Sequence, residues 1–440
     1  MLKPVTAERY ILYKKAIWLY ITLLIFEGAL RKWFLPEFAT PLLIVRDPIV
    51  IWLVLAGFRK GWLRNGYAIA MMVFSTISFV MTLLVGHHNL YTALFGWRIY
   101  VLYFPFIFVL GHILNKEDLL KIGKFMLYLS IPMTLLIILQ FYSPQSAWVN
   151  QGIGQNTEGA GFGGVLGYFR PPGTFTFIAG FTDFQMLVGC YLFYFLLANK
   201  TLEPKFQIKS WLLWVILVCY LLTIPYSISR AHFFQTVVIL IFVLLIGLFA
   251  KKRSLSVTKT LVWLFLGALI IFLFDMASEG INAFIARFAG ANRVEGGLIE
   301  GVAGKRFFGS TVRSFNADLP FWGYGIGLGT SAGSELANTK TIYAYFNGEE
   351  EWSRVTGECG LFIGYIILGI RCLFSLSLFI KAFKMLKRGC SFLPWMLMAG
   401  VILMVPIFQW GQVTHIGFAA LVAGLTLAAI KTGNTEQSNT

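Results

Sequence analysis

Charge is what this sequence lacks. Only 13% of its 440 residues are Asp, Glu, Lys or Arg, against about 25% in soluble domains, which excludes a soluble multidomain protein. Acids are scarcest, 20 against 36 Lys and Arg. Histidine is rare too: His87, His88, His112, His232 and His415 show no metal-ligand spacing and no DxD pair joins them, so neither metal nor cofactor is expected. Five cysteines (Cys190, Cys219, Cys359, Cys372, Cys390) have no paired spacing. That excludes a disulfide framework and a CxxC site, and leaves them as small apolar packing residues. A cleavable signal peptide is not expected either, because residues 1–15 are polar and basic and the first apolar run is a full span without a small-residue cleavage site.

What is present is apolar surface. Hydrophobic residues make up 58% of the chain, and 42 Phe and 13 Trp exclude disorder. A helix crosses a bilayer with about 20 mostly apolar residues. Windows of that length predict twelve spans, near 16–35, 41–58, 67–86, 94–113, 122–142, 174–198, 210–228, 231–250, 259–280, 356–380, 392–411 and 413–430. The break near Thr223–Arg230 is short enough to be a kink instead. With the N-terminus inside, the cytoplasmic connections hold 22 of the 36 basic residues and five of the 20 acids. They carry a net +17, leaving −1 for everything else. Every second connection is basic, as the positive-inside rule requires. The net +16 is thus a topology signal, and a nucleic-acid partner is not expected.

The expected fold is all-α: one integral membrane domain over 1–440, a polytopic bundle of about twelve spans with both termini cytoplasmic. Two long connections fall outside. Residues 143–172 form a polar, glycine-rich loop, and 281–355 form the large loop between spans nine and ten, weakly helical over 284–318 and looped over 321–333. Such loops favour work on substrates at the outer face. There is no evident internal repeat, and the intramembrane acids are few (Asp47, Asp183, Asp275). Both features count against an inverted-repeat transporter.

Ionisable groups beside apolar segments are the candidates for chemistry. Arg170, in YFRPPGTF, precedes the sixth span, and two prolines should fix the chain as it enters that helix. Arg230, in PYSISRAHF, lies at the junction of spans seven and eight. Each is either a snorkelling interfacial arginine or part of an outer pocket. Two guanidinium groups converging there would suit a diphosphate, and on that face a lipid-linked pyrophosphate rather than a nucleotide. His232 lines the same pocket or packs in the bundle core. GYGIGLG at 323–329 has no preceding strand and no following Lys-Ser, so it reads as a tight turn against the membrane surface rather than a phosphate loop. Glu349, Glu350 and Glu351 form a solvated acidic run, or one of them, or Glu358, is a general base. If 349–358 is helical, Glu351, Arg354, Val355 and Glu358 share a face and Arg354 can pair with either acid beside that pocket.

Taken in order, Arg170 with Gly173 and Phe175, Ser229-Arg230-Ala231, a large outer loop with Arg313, GYGIGLG, and Glu358-x-Gly360 resemble the O-antigen ligase / O-antigen polymerase superfamily over roughly residues 165–370. The resemblance implies a GT-C-type membrane glycosyltransferase that moves glycan from an undecaprenyl-diphosphate donor to an acceptor hydroxyl outside the cytoplasmic membrane, without a metal. It implies that Arg170 and Arg230 hold the diphosphate and stabilise it as leaving group, with Arg313 assisting. The partners so implied are a lipid-linked oligosaccharide, a glycan acceptor, membrane lipids and other polysaccharide-assembly proteins.

One departure matters. Ligases of this superfamily carry a loop histidine in an H-N…E-x-G pattern; the matching position here is about Glu349, and 281–355 contains no histidine. Either one of Glu349, Glu350 and Glu351 replaces that base or little base assistance is needed. The departure favours a polysaccharide polymerase over a ligase. A transporter of lipid-linked sugars and a structural partner in a synthesis complex are the alternatives from other classes.

Overall fold

The computed structural model describes residues 7–250 except 157 and 160, then 267, 277–295, 319–330, 333 and 350–438. The chain is mostly helical (78%). Its helices are α1 (Ala7–Ala29), α2 (Asp47–Lys60), α3 (Gly66–Leu84), α4 (Leu90–Arg98), α5 (Phe104–Ile113), α6 (Lys116–Tyr142), α7 (Ile178–Ala198), α8 (Ser210–Tyr226), α9 (Arg230–Phe249), α10 (Ser278–Glu295), α11 (Glu351–Arg388), α12 (Leu393–Met404) and α13 (Val413–Ser438). A π-helical turn, Ile99–Tyr103, joins α4 and α5 into one rod.

Among the described residues nine helical segments are long and apolar enough to cross a membrane. They overlie nine of the twelve predicted windows. Of the rest, 16–35 falls on α1, which carries Lys14, Lys15 and Glu27; 392–411 contains only the 12-residue α12; and 259–280 lies almost wholly outside the described residues. The all-α expectation needs one correction. The glycine-rich loop contains an antiparallel hairpin, β1 (Phe162–Val165) with β2 (Tyr168–Arg170).

Burial separates centre from periphery. Along the most apolar stretch of each helix, 94% of residues are buried in α7 and 83% in α13, but only 28% in α3. α7 has a single charged residue, Asp183. Small residues bring the central rods together as expected where the surroundings are as apolar as the side chains. A methyl group on Gly111 of α5 would come within 2.6 Å of Leu427, and one on Gly424 of α13 within 2.6 Å of Leu110.

The two ends of the bundle differ. Basic connections gather at one: Lys14 pairs with Asp118 at 2.7 Å, Lys431 donates to the His112 carbonyl at 3.1 Å, Lys124 reaches the Lys205 carbonyl at 3.3 Å, and Trp62 stacks on His112 at 5.5 Å. The N-termini of α7, α9, α11 and α13 meet at the other. There Asp183 touches His415, Phe181 packs on His232, and Gly411 lies against the Arg354 side chain.

Residues 319–330 are threaded between helices. GYGIGLG is a turn, as expected, but it is inserted into the bundle instead of lying on its surface. The N–H of Ile326 donates to Thr82 Oγ1 (2.8 Å), Gly325 to the Glu358 carbonyl (3.0 Å) and Tyr324 to the Gly357 carbonyl (2.8 Å). His87 completes the clamp, with Nε2 3.1 Å from the Ile326 carbonyl and Nδ1 accepting from the Asn89 N–H. Burial lowers its pKa and favours the neutral ring that this pattern needs. Gly327 has φ +102° and lies backbone to backbone against Gly96 of α4. An alanine there would need a left-handed conformation and would drive its Cβ into the Thr92 carbonyl. Gly327→Ala should lower stability by about 3 kcal/mol, strain and overpacking together. Unfolding of the purified protein in detergent measures it.

Candidate functional site

Arg170 ends β2, opposite Phe162. Its Nη2 lies 2.7 Å from where a Cβ on Gly163 would stand, so the half-buried guanidinium lies across a backbone that only glycine leaves open. Tyr168 pins the hairpin by stacking on Phe141 (4.3 Å) and donating to Glu279 Oε2 of α10 (2.9 Å). The two prolines do not lead directly into the sixth span. Residues 171–175 are buried and non-helical, and α7 starts only at Ile178 because Gly173 (φ +63°) and extended Phe177 interrupt the path. Non-helical backbone at membrane depth must find its partners in the protein. It does: Gly173 N–H donates to Gln140 Oε1 (2.8 Å), and its carbonyl accepts from Lys32 Nζ (2.7 Å) and Gln140 Nε2 (3.2 Å).

Arg230 is the first residue of α9. The break before it separates two helices rather than kinking one, since Tyr220 and Thr236 face each other at 2.9 Å across an antiparallel hairpin. Buried Ile228 adopts φ +48°, a strained conformation for a β-branched residue. Ser229 Oγ then caps the helix by accepting from the His232 N–H (3.4 Å). Half-buried Arg230 therefore sits at the positive end of a helix, where an anion is favoured and a cation is not. A ring cluster ties the two arginine segments together. Tyr168 stacks on Phe141, Phe141 meets Tyr226 edge-on at 5.1 Å, and the Tyr226 hydroxyl bonds that of Tyr142 at 3.2 Å.

His232 is not at an outer pocket. It is fully buried, its Nε2 bonded to Thr223 Oγ1 (3.0 Å) and its ring between Tyr220 and Phe181. It packs in the core because the residue two positions after Arg230 points to the opposite side of the helix.

The predicted helical face of Glu351, Arg354 and Glu358 exists and closes on itself. Arg354 donates to Glu351 Oε2 (Nε, 2.8 Å) and Oε1 (Nη2, 2.8 Å) and to Glu358 Oε2 (Nη1, 2.7 Å). Arg371 donates to Glu351 Oε1 (2.5 Å) and to the Val405 and Phe408 carbonyls, and lies over the Trp410 ring at 4.1 Å. Glu358 Oε1 accepts from Gly329 N–H (2.8 Å), and Tyr100 OH touches Arg354 (3.3 Å). Both carboxylates are fully enclosed and committed to guanidinium groups. Neither is placed as a general base. Arg354 likewise belongs to this enclosed cluster and not to an open pocket. Glu350, half-buried, accepts from Ser353 Oγ (3.3 Å) at the helix start. Glu349 and Arg313 lie outside the described residues. Arg371 belongs to none of the motifs above, although an arginine inside an apolar span is itself the signal.

Buried charge is also richer than three aspartates. Glu27 binds Arg46 (3.0 Å) and Arg31 (3.6 Å); Asp47 binds Arg98 and the Tyr103 hydroxyl (2.7 Å). Lys32, fully buried, meets no carboxylate among the described residues. Asp275 lies outside them. A further pair among the described residues is His415 Nδ1 with Asp183 Oδ2 at 2.5 Å, in the first turn of α13 and the second turn of α7. No sequence motif marks it.

Among the described residues no group of three or more His, Cys, Asp or Glu is arranged to hold a metal ion. The five cysteines are free thiols. No protein-family profile matches the chain, and no curated protein matches it.

Proposed function

We propose that the chain is a membrane glycosyltransferase that moves glycan from an undecaprenyl-diphosphate-linked donor to an acceptor hydroxyl at the outer face of the cytoplasmic membrane, in the manner of a polysaccharide polymerase. The observation that carries this reading is the placement of Arg170 and Arg230. Both stand at the bundle end where four helix N-termini meet, beside one cluster of aromatic rings. Arg230 stands at the first position of α9, where the guanidinium and the helix N-terminus would act on an anion together. A diphosphate leaving group fits both, because planar guanidinium groups pair with phosphate oxygens and neutralise the charge that builds as the glycosidic bond breaks. The exposed rings of Tyr142, Trp148 and Phe169 at this end suit sugar faces and the lipid interface alike.

The test is direct. Purified protein given a polyprenyl-diphosphate-linked oligosaccharide should yield longer glycans and free polyprenyl diphosphate. Long glycan joined to a different lipid or a protein would instead mark a ligase. Buried ion pairs within the bundle favour a second reading, a transporter of lipid-linked sugar, since such groups often line substrate paths. In sealed vesicles that reading gives movement of the donor across the bilayer with no new glycosidic bond.

A further inference from the structure

We propose that His415 is the base that takes the proton of the acceptor hydroxyl, and that Asp183 positions it; this rests on the glycosyl-transfer reading above. His415 Nδ1 lies 2.5 Å from Asp183 Oδ2. An ionised carboxylate only accepts, so Nδ1 carries the hydrogen and the lone pair of the neutral ring is on Nε2. Asp183 is fully buried, whereas the His415 side chain keeps 12% exposure. With Nδ1 bonded to the buried oxygen, Nε2 is the ring nitrogen left to take a proton. Phe408 packs against the ring at 5.4 Å.

The carboxylate is poised for a cation. Asp183 Oδ1 is buried with no hydrogen-bond partner among the described residues. A carboxylate held so far from water gains when its neighbour becomes an imidazolium. The other charged group acting on the ring is Glu351 of α11, which is already bound by Arg354 and Arg371. Arg46 and Tyr20 reach the Val413 and Gly417 carbonyls and not the ring. No ionisable side chain lies along α12.

The pair lies at the same end of the bundle as the two arginine segments. Phe175, five residues after Arg170, packs on Phe418, one turn beyond His415 (5.9 Å). In the step assigned here the acceptor O–H bond breaks and its proton passes to Nε2. The oxygen forms the new bond to the anomeric carbon as the carbon–oxygen bond to the diphosphate breaks. The leaving electron pair goes to the polyprenyl diphosphate, and the imidazolium later returns its proton to water. This supplies a histidine base that the large loop lacks.

Purified wild-type protein and the variants His415→Asn, Asp183→Asn and Asp183→Glu would be compared for binding of a polyprenyl-diphosphate-linked oligosaccharide and for its transfer between about pH 8 and pH 5. The expected result for His415→Asn is a transfer rate lower by about 100-fold or more with donor binding unchanged. Asp183→Asn should slow transfer by about 10-fold or more and move the acid limb of the wild-type profile, and Asp183→Glu should restore part of both. Transfer by His415→Asn within threefold of wild type, or loss of donor binding in proportion to rate, overturns the base while the glycosyltransferase reading stands. If wild type makes no glycosidic product, that reading falls and the base falls with it. Should His415→Asn fail to fold, His415→Gln and the wild-type profile decide, and a wild-type rate that does not fall on the acid side overturns the proposal.

Discussion

Replacing Arg170 or Arg230 by alanine is expected to lower glycan transfer by about 10²- to 10³-fold, the loss seen when one preorganised charge donor is removed from a developing anion. Protein level and unfolding behaviour should change little, since both side chains are half-buried at the end of an element and neither fills the core. Arg→Lys variants separate charge from shape. Lysine keeps the positive charge but loses the two parallel hydrogen bonds of guanidinium, so an intermediate rate is expected at each position. The double alanine variant should lose less than the product of the single effects, because the two groups act on one diphosphate. Product length on gels, with polyprenyl diphosphate release as the second readout, checks all of these. Full-length polymer from both alanine variants would sink the proposed function.

The largest effect on stability is expected at Glu351. Its carboxylate is shared by two buried arginines, so Glu351→Ala leaves Arg371 with two backbone carbonyls and an indole face, and Arg354 with Glu358. Removing one partner of a buried ion pair costs about 3–5 kcal/mol. Replacing Glu351 and Arg371 together by methionine should recover most of it, because an apolar pair of similar volume needs no counter-charge. Unfolding in detergent with increasing denaturing surfactant measures both variants. A loss below about 1 kcal/mol for Glu351→Ala would mean that water reaches the cluster.

What the sequence made legible follows its periodicities. Glu351, Arg354 and Glu358 are three and four positions apart, so a helix had to bring them together. Arg371 and Tyr100, which complete that cluster, come from beyond a helix break at Gly360 and from a separate rod, and no local spacing encodes either contact. The spans were visible because lipid imposes length and composition. The hairpin around Arg170 was hidden by glycines, whose sequence leaves the backbone path open. GYGIGLG announced a turn, yet its destination depends on Gly96 of α4, more than 200 residues earlier. Asp183 and His415 are 232 positions apart, on two different apolar helices. Only packing joins them.

The same separation sets an order of events during synthesis. Asp47 waits for Arg98 through some fifty residues of chain, and the Gly173 carbonyl finds Lys32 already made. Asp183, near the start of the most buried helix, meets no such neighbour among the described residues until α13 is made. A nascent chain stopped before residue 413 lacks the ring that Asp183 meets among the described residues. Truncation before residue 413 is therefore expected to leave the Asp183 carboxylate buried without its ring partner, which lowers the stability of the shortened bundle.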